Sequence, residues 1–256
     1  MNRYVVPVAL CGSIAVFVAL LSNAASSGRP PVLAALESRG VSNLHEFKVN
    51  GGLRGFAGVA GQNPVAVYVT KDGDVIIGAR VDRNGEPMDT KVVDELVAGL
   101  MGNAAWRQLE SARWIRDGRE DAPRTVYVIT DPNCPWCHRL WEAARPWVQS
   151  GKVQLRELLV GVIRPDSEGK AATILSSSNP SAALEQNERD FDKGGVSPAT
   201  TVSDDVKRTL SGNLKLMEGL GFQGTPGVIY KSADGKVEML SGFPQGTQLS
   251  AVMGPR

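Results

Sequence analysis

The stretch Thr125-Val126-Tyr127-Val128-Ile129-Thr130-Asp131-Pro132-Asn133-Cys134-Pro135-Trp136-Cys137-His138 decides the fold. Its first six residues are all β-branched or aromatic, which reads as a buried strand. A short polar turn leads to two cysteines three residues apart. Leu140, Trp141 and Ala144 then mark a helix, which Pro146 is expected to bend or interrupt. A second apolar strand follows over residues 153–160. Strand, helix and strand in that order are an α/β unit.

Pro135 fits the first position of that helix, where a missing backbone donor costs nothing. Cys134 then becomes the N-cap, its sulfur facing unsatisfied N–H groups and the positive end of the helix dipole. Both favour thiolate over thiol. Cys137 lies nearly one turn on, so the two sulfurs can close a disulfide. Inside the helix, Cys137 is expected to be the more buried sulfur. This geometry makes Cys134 the attacking sulfur and Cys137 the one that resolves a mixed disulfide. Three other readings compete. A purely structural disulfide would close almost no loop. Half a zinc site lacks a second cysteine pair. Covalent haem would use Cys-x-x-Cys-His with His138 as axial ligand, but the apolar strand just before it belongs to a sheet protein.

Outward from this point, composition narrows the field. The chain has 256 residues, with 28 Lys and Arg against 27 Asp and Glu. A net charge of +1 gives no reason to expect nucleic-acid binding. Two His and three Cys make a metal site hard to build. Residues 1–24 carry Arg3 and then an uncharged run rich in Val, Ala and Leu, ending in Ser22-Asn23-Ala24. They read as an export signal cut near Ala24 or Ala25, with an uncleaved membrane anchor as the alternative. Cys11 leaves with the signal, so Cys134 and Cys137 are the only cysteines of the mature chain. In an exported protein, a lone close-spaced pair points to chemistry before architecture.

Residues 33–39 form a short helix candidate stopped by Gly40. Strands are expected over residues 44–49, 53–59, 65–70 and 75–81, with turns at residues 71–74 and 84–85. So small a sheet buries little by itself, which suggests pairing with a second copy. Residues 90–117 read as helical, with Val92, Val93, Leu96 and Leu100 on one side and Trp106, Leu109, Ala112 and Trp114 extending it. Gly99 and Gly102 weaken its middle and Gly118 ends it. Residues 165–220 are helical patches and polar turns. Strands at residues 227–230 and 237–240 flank a turn, and a helix over residues 245–253 closes the chain. Before the first of these strands stands Gly224-Thr225-Pro226-Gly227. Pro226 either ends a loop or sits in a cis bond that frees the Thr225 backbone to pair with an extended substrate near Cys134.

With these residues assembled, the chain resembles the DsbC/DsbG class of periplasmic thiol:disulfide interchange proteins, and the DsbG branch most. The resemblance is carried by residues 130–137, by Ala144-Arg145-Pro146-Trp147-Val148, by residues 150–156 and 158–163, by Leu220-Gly221, and by Thr225-Pro226 with Ile229-Tyr230. It covers nearly all of the mature chain. It implies an α/β fold: a thioredoxin-like domain with an inserted helical subdomain, joined by a linker helix to a small cystatin-like α+β dimerisation domain. The boundaries would be a signal peptide at 1–24, the dimerisation domain at 25–88, the linker helix at 89–118 and the catalytic domain at 119–256, with its insertion at about 165–220.

The resemblance further implies Cys134 and Cys137 as catalytic residues, and Trp136, Thr225 and Pro226 as substrate contacts. Pro135 and His138 would tune the redox pair. Trp136 stands where the family commonly has Tyr, and His138 where Lys is expected. The implied function is a periplasmic disulfide reductase or isomerase, with cysteine sulfenic acids as a further class of substrate. It would use no cofactor or metal beyond the Cys134–Cys137 pair. Its partners would be a second copy of the chain, exported client proteins with oxidised cysteines and a DsbD-like membrane electron donor, with no nucleic acid. Two alternatives remain: a dimeric chaperone-like binding protein with secondary redox activity, and a dedicated dithiol oxidase.

Overall fold

The computed structural model describes residues 28–61 and 63–255. The expected export signal at residues 1–24 lies outside them. Two sheets share one long helix. The first sheet has the order β1-β2-β3-β4, with β1 Val41–Phe47, β2 Arg54–Ala60, β3 Asn63–Val69 and β4 Val75–Ile77, all antiparallel. The inner strand β2 is buried on both faces because each is covered. Leu33 of α1 (Val32–Glu37) packs with Phe56, Val67 and Val69 on one side. Val93 and Val97 of α2 (Thr90–Ser111) pack with Ala57, Val59 and Tyr68 on the other.

The second sheet has the order β5-β7-β6-β8-β9. Its centre is β6 (Arg124–Thr130) parallel to β7 (Val153–Leu159), connected through α3 (Pro135–Gln149). The antiparallel strands β8 (Gly227–Lys231) and β9 (Val237–Ser241) extend one side. Leu140, Ala144, Trp147 and Val148 of α3 cover one face together with Val252 and Met253 of α7 (Thr247–Met253). Trp106 and Leu109 of α2 cover the other with Met217 of α6 (Asp204–Gly219). Between β7 and β8 lie α4 (Ser167–Leu175), α5 (Pro180–Arg189), a 3-10 turn at Phe191–Lys193 and α6, with a hydrophobic cluster of their own. The molecule is thus a thioredoxin-like α/β domain joined to a separate β-rich N-terminal domain.

Two expectations need correction. Helix α2 ends at Ser111, and Ile115–Asp117 form an edge strand, β5, antiparallel to β7. Three residues are too few to show a period, and Ile115 is buried by sheet partners that sequence spacing does not reveal. Gly118 therefore follows a strand, turning the chain at φ +109°. Helix α3, for its part, is not interrupted at Pro146 and continues to Gln149. Both Pro146 and Glu142, whose carbonyl loses its partner, face solvent, while Ala144, Trp147 and Val148 hold that part of the helix in the core.

Candidate active site

The redox pair sits where β6 runs into α3. Cys134 is the N-cap, with φ −83° and ψ 111°, and Pro135 opens the helix. Cys134 and Cys137 are joined by a disulfide, with Cα atoms 5.2 Å apart. The Cys137 N–H donates to Cys134 Sγ at 3.1 Å, so one orphan donor of the helix end points at this sulfur. The helix dipole acts in the same direction.

Strand pairing brings the second element to it. β8 is antiparallel to β6 with Gly227 opposite Ile129, so the residues before β8 lie beside those after β6. The Thr225–Pro226 peptide is cis. The Thr225 carbonyl oxygen lies 3.5 Å from Cys134 Sγ. In the disulfide this is a contact only, since the sulfur has no proton; a reduced thiol could donate across it. Thr225 Oγ1 is buried and, among the described residues, has no hydrogen-bond partner.

Both cysteines are buried, Cys134 at 1% and Cys137 at 4% exposed as whole residues. The Thr225 carbonyl lies against Cys134 from a segment about ninety residues away, which helix geometry cannot anticipate. Trp136 by contrast is 48% exposed, with the Arg139 guanidinium 4.6 Å from its ring centre. His138 turns away from solvent. Its Nδ1 lies 3.0 Å from Glu188 Oε2, and its ring stacks on Phe191 at 4.4 Å with a 4° tilt. Burial raises the Glu188 carboxyl above the usual range, and His138 opposes that shift.

Sequence reasoning did not find Asp131 or Glu188. Asp131 is buried and accepts from the N–H groups of Asn133 (2.9 Å), Val162 (2.7 Å) and Ile163 (3.1 Å) and from the Ser167 hydroxyl (2.8 Å). Its own carbonyl accepts from the Cys134 N–H at 3.0 Å. It thereby ties the cysteine turn to the loop after β7. The Asp131-Pro132-Asn133 spacing is an ordinary turn signature, and its partners lie too far along the chain for sequence to name them. Among the described residues no group of three or more His, Cys, Asp or Glu could hold a metal ion, and the disulfide is the redox centre.

Two curated relatives align along most of the chain. It is 39% identical over 228 residues to the thiol:disulfide interchange protein DsbG of Pseudomonas aeruginosa, covering 89% of each. It is 37% identical over 226 residues to the Escherichia coli protein of the same name, covering 88% of this chain and 91% of that one. No family model matches. Among solved structures, a periplasmic thioredoxin-like protein from Salmonella enterica serovar Typhimurium aligns with a TM-score of 0.48 and 22% identity, over 59% of this chain and 94% of that one.

Proposed function

The chain belongs to the DsbG family of thiol:disulfide interchange proteins, and from that premise we propose that Cys134 is its attacking sulfur and that it works in the reducing direction. It is a periplasmic thiol–disulfide oxidoreductase. The observation that carries the assignment is the Cys137 N–H donated to Cys134 Sγ at the helix N-cap, which favours negative charge on that sulfur.

The Cys134 thiolate attacks one sulfur of a client disulfide. That bond breaks, a mixed disulfide forms, and the other client sulfur leaves as a thiolate that takes up a proton. Cys137 gives up its proton and attacks Cys134, releasing the first client sulfur as a thiolate. Two electrons have passed to the client, and Cys134–Cys137 is left oxidised. With a client sulfenic acid, the first attack expels the hydroxyl, which leaves as water after protonation. If the mixed disulfide is attacked by another client cysteine instead, the outcome is isomerisation. A DsbD-like membrane donor restores the dithiol.

Thr225 and Pro226 would receive an extended client segment through the Thr225 backbone, beside the exposed ring of Trp136. Pro135 and His138 would set thiolate stability, His138 through its contact with Glu188. The N-terminal residues 25–88 would be a cystatin-like dimerisation domain, residues 89–118 the linker and residues 119–256 the catalytic domain. Exposed apolar side chains at Ile76, Ile77, Val81 and Met88 support a second copy as partner.

Two variants and one cellular measurement test this reading. Cys137→Ala should accumulate a mixed disulfide with clients, and Cys134→Ala should form none. Alkylation of cell extracts should find the wild-type pair mostly reduced. Trapping on Cys137 instead would overturn the assignment of sulfurs, and a mostly oxidised pair would make the protein a dithiol oxidase.

A further inference from the structure

The helical segment between β7 and β8 encloses the turn on which Cys134 stands, and it places a buried cation there. Lys170 of α4 is 6% exposed. Its Nζ donates to Asn133 Oδ1 and to the Gly194 carbonyl, each at 2.7 Å, and lies 3.5 Å from the Asp166 carboxylate. Asn133, itself buried, uses its other end as well: Nδ2 donates to Asp166 Oδ1 at 3.0 Å and to Ser167 Oγ at 2.9 Å. This arrangement fixes the amide, because only its oxygen can meet an ammonium and only its nitrogen can meet those acceptors. Asn133 is the residue immediately before Cys134.

Taking an ammonium out of water is costly unless it is well paired. Here it is paired to the capping turn itself. The other charged group on that turn, Asp131, already accepts three N–H groups and a hydroxyl. His138, one turn into α3, is engaged with Glu188. Lys170 is therefore the cation whose hydrogen bond reaches the residue preceding the N-cap.

We propose that Lys170 is a positioning residue for Cys134: through Asn133 it fixes the capping turn and keeps positive charge behind it, favouring the thiolate once the disulfide is reduced. This rests on Cys134 being the attacking sulfur. Without Lys170, the Asp166 carboxylate would lose the cation 3.5 Å from it, and Asn133 Oδ1 would lose its partner.

The test titrates the single thiol of the Cys137→Ala protein prepared without residues 1–24, and so without Cys11, by thiolate ultraviolet absorbance, with and without Lys170→Met. The Cys134 pKa should rise by about half a unit or more, leaving about threefold less thiolate below that pKa, with alkylation slowed in proportion. Asn133→Ala should shift it in the same direction while leaving Lys170 in place. A purely structural role would lower the melting temperature of both variants and leave the titration unmoved, which would overturn the proposal. If Lys170→Met does not fold, the Asn133→Ala titration decides. Should the Cys137→Ala parent show no acidic thiol at all, the assignment of Cys134 fails first and this proposal falls with it.

Discussion

Beneath the active-site helix, Glu157 of β7 lies buried in the field of Asp117 on β5, Glu188 on α5 and Arg145 on α3. Burial pushes its carboxyl well above the usual range, Asp117 and Glu188 push it further, and Arg145 opposes them. Arg145 is itself paired in a fork with Asp117. The folded chain therefore holds a proton on Glu157 that the unfolded chain releases in the ordinary glutamate range. Over that interval the unfolded state binds fewer protons, so this residue's contribution to stability falls as pH rises toward its folded pKa. Glu157→Gln should remove that slope. Its melting temperature should match wild type near pH 4 and exceed it at pH 7.5. Equal melting curves at both pH values would show that the carboxyl is not held protonated. Sequence placed Glu157 in a strand; that three acidic side chains from three elements converge there is a consequence of packing.

At the scale of elements, α2 shows what its two glycines do. Gly99 is exposed, and a Cβ built there meets nothing within 4 Å. Gly102 is buried against β9, where a Cβ would lie 3.0 Å from Val237 Cβ. Read as sequence, both simply weaken a helix. Their environments separate them. Gly99→Ala should gain about 1 kcal/mol of helix propensity and raise the melting temperature by about 2–4 °C. Gly102→Ala should gain nothing or lose stability, because the added methyl meets the root of a side chain that a β-branched residue cannot turn aside. An equal gain from both in calorimetry would mean that α2 does not seat on β9. Residues 115–117 read as helix in the sequence for the same reason: a short edge strand has no signature apart from its neighbour.

For the whole molecule, α2 connects the two sheets. Its first half packs under the N-terminal sheet through Val93 and Val97, and its second half packs on the catalytic sheet through Trp106 and Leu109. Asp89 anchors its start, accepting from Tyr68 Oη at 2.9 Å and from Arg80 Nε at 2.8 Å, and this pairing with Arg80 holds its carboxyl below the usual range. Beyond this joint, the three-residue edge strand β4 leaves Ile76 and Ile77 exposed, with Val81 and Met88 after it. An apolar edge strand invites pairing with another chain. If a second copy pairs here as proposed, the double variant Ile76→Asp, Ile77→Asp should raise the dissociation constant of that proposed dimer at least about tenfold in sedimentation or light scattering, while the isolated redox reaction of Cys134–Cys137 stays measurable. A dimer unaffected by both charges would place the interface elsewhere.

The sequence alone determined the chemistry: two cysteines, Cys134 and Cys137, placed by a proline at the start of a helix that follows a buried strand. That much is local, because N-cap position, helix spacing and strand composition are set by residues within one or two turns of each other. Tertiary structure decided what surrounds the sulfurs. The Thr225 carbonyl comes from the far side of the insertion, Lys170 and Glu188 come from within it, and the burial of Cys134 follows from that enclosure. The Thr225-Pro226 loop was marked in the sequence by its proline before a strand, but the contacts of Lys170 and Glu188 depend on strand order and helix packing, which have no period or motif in the linear sequence.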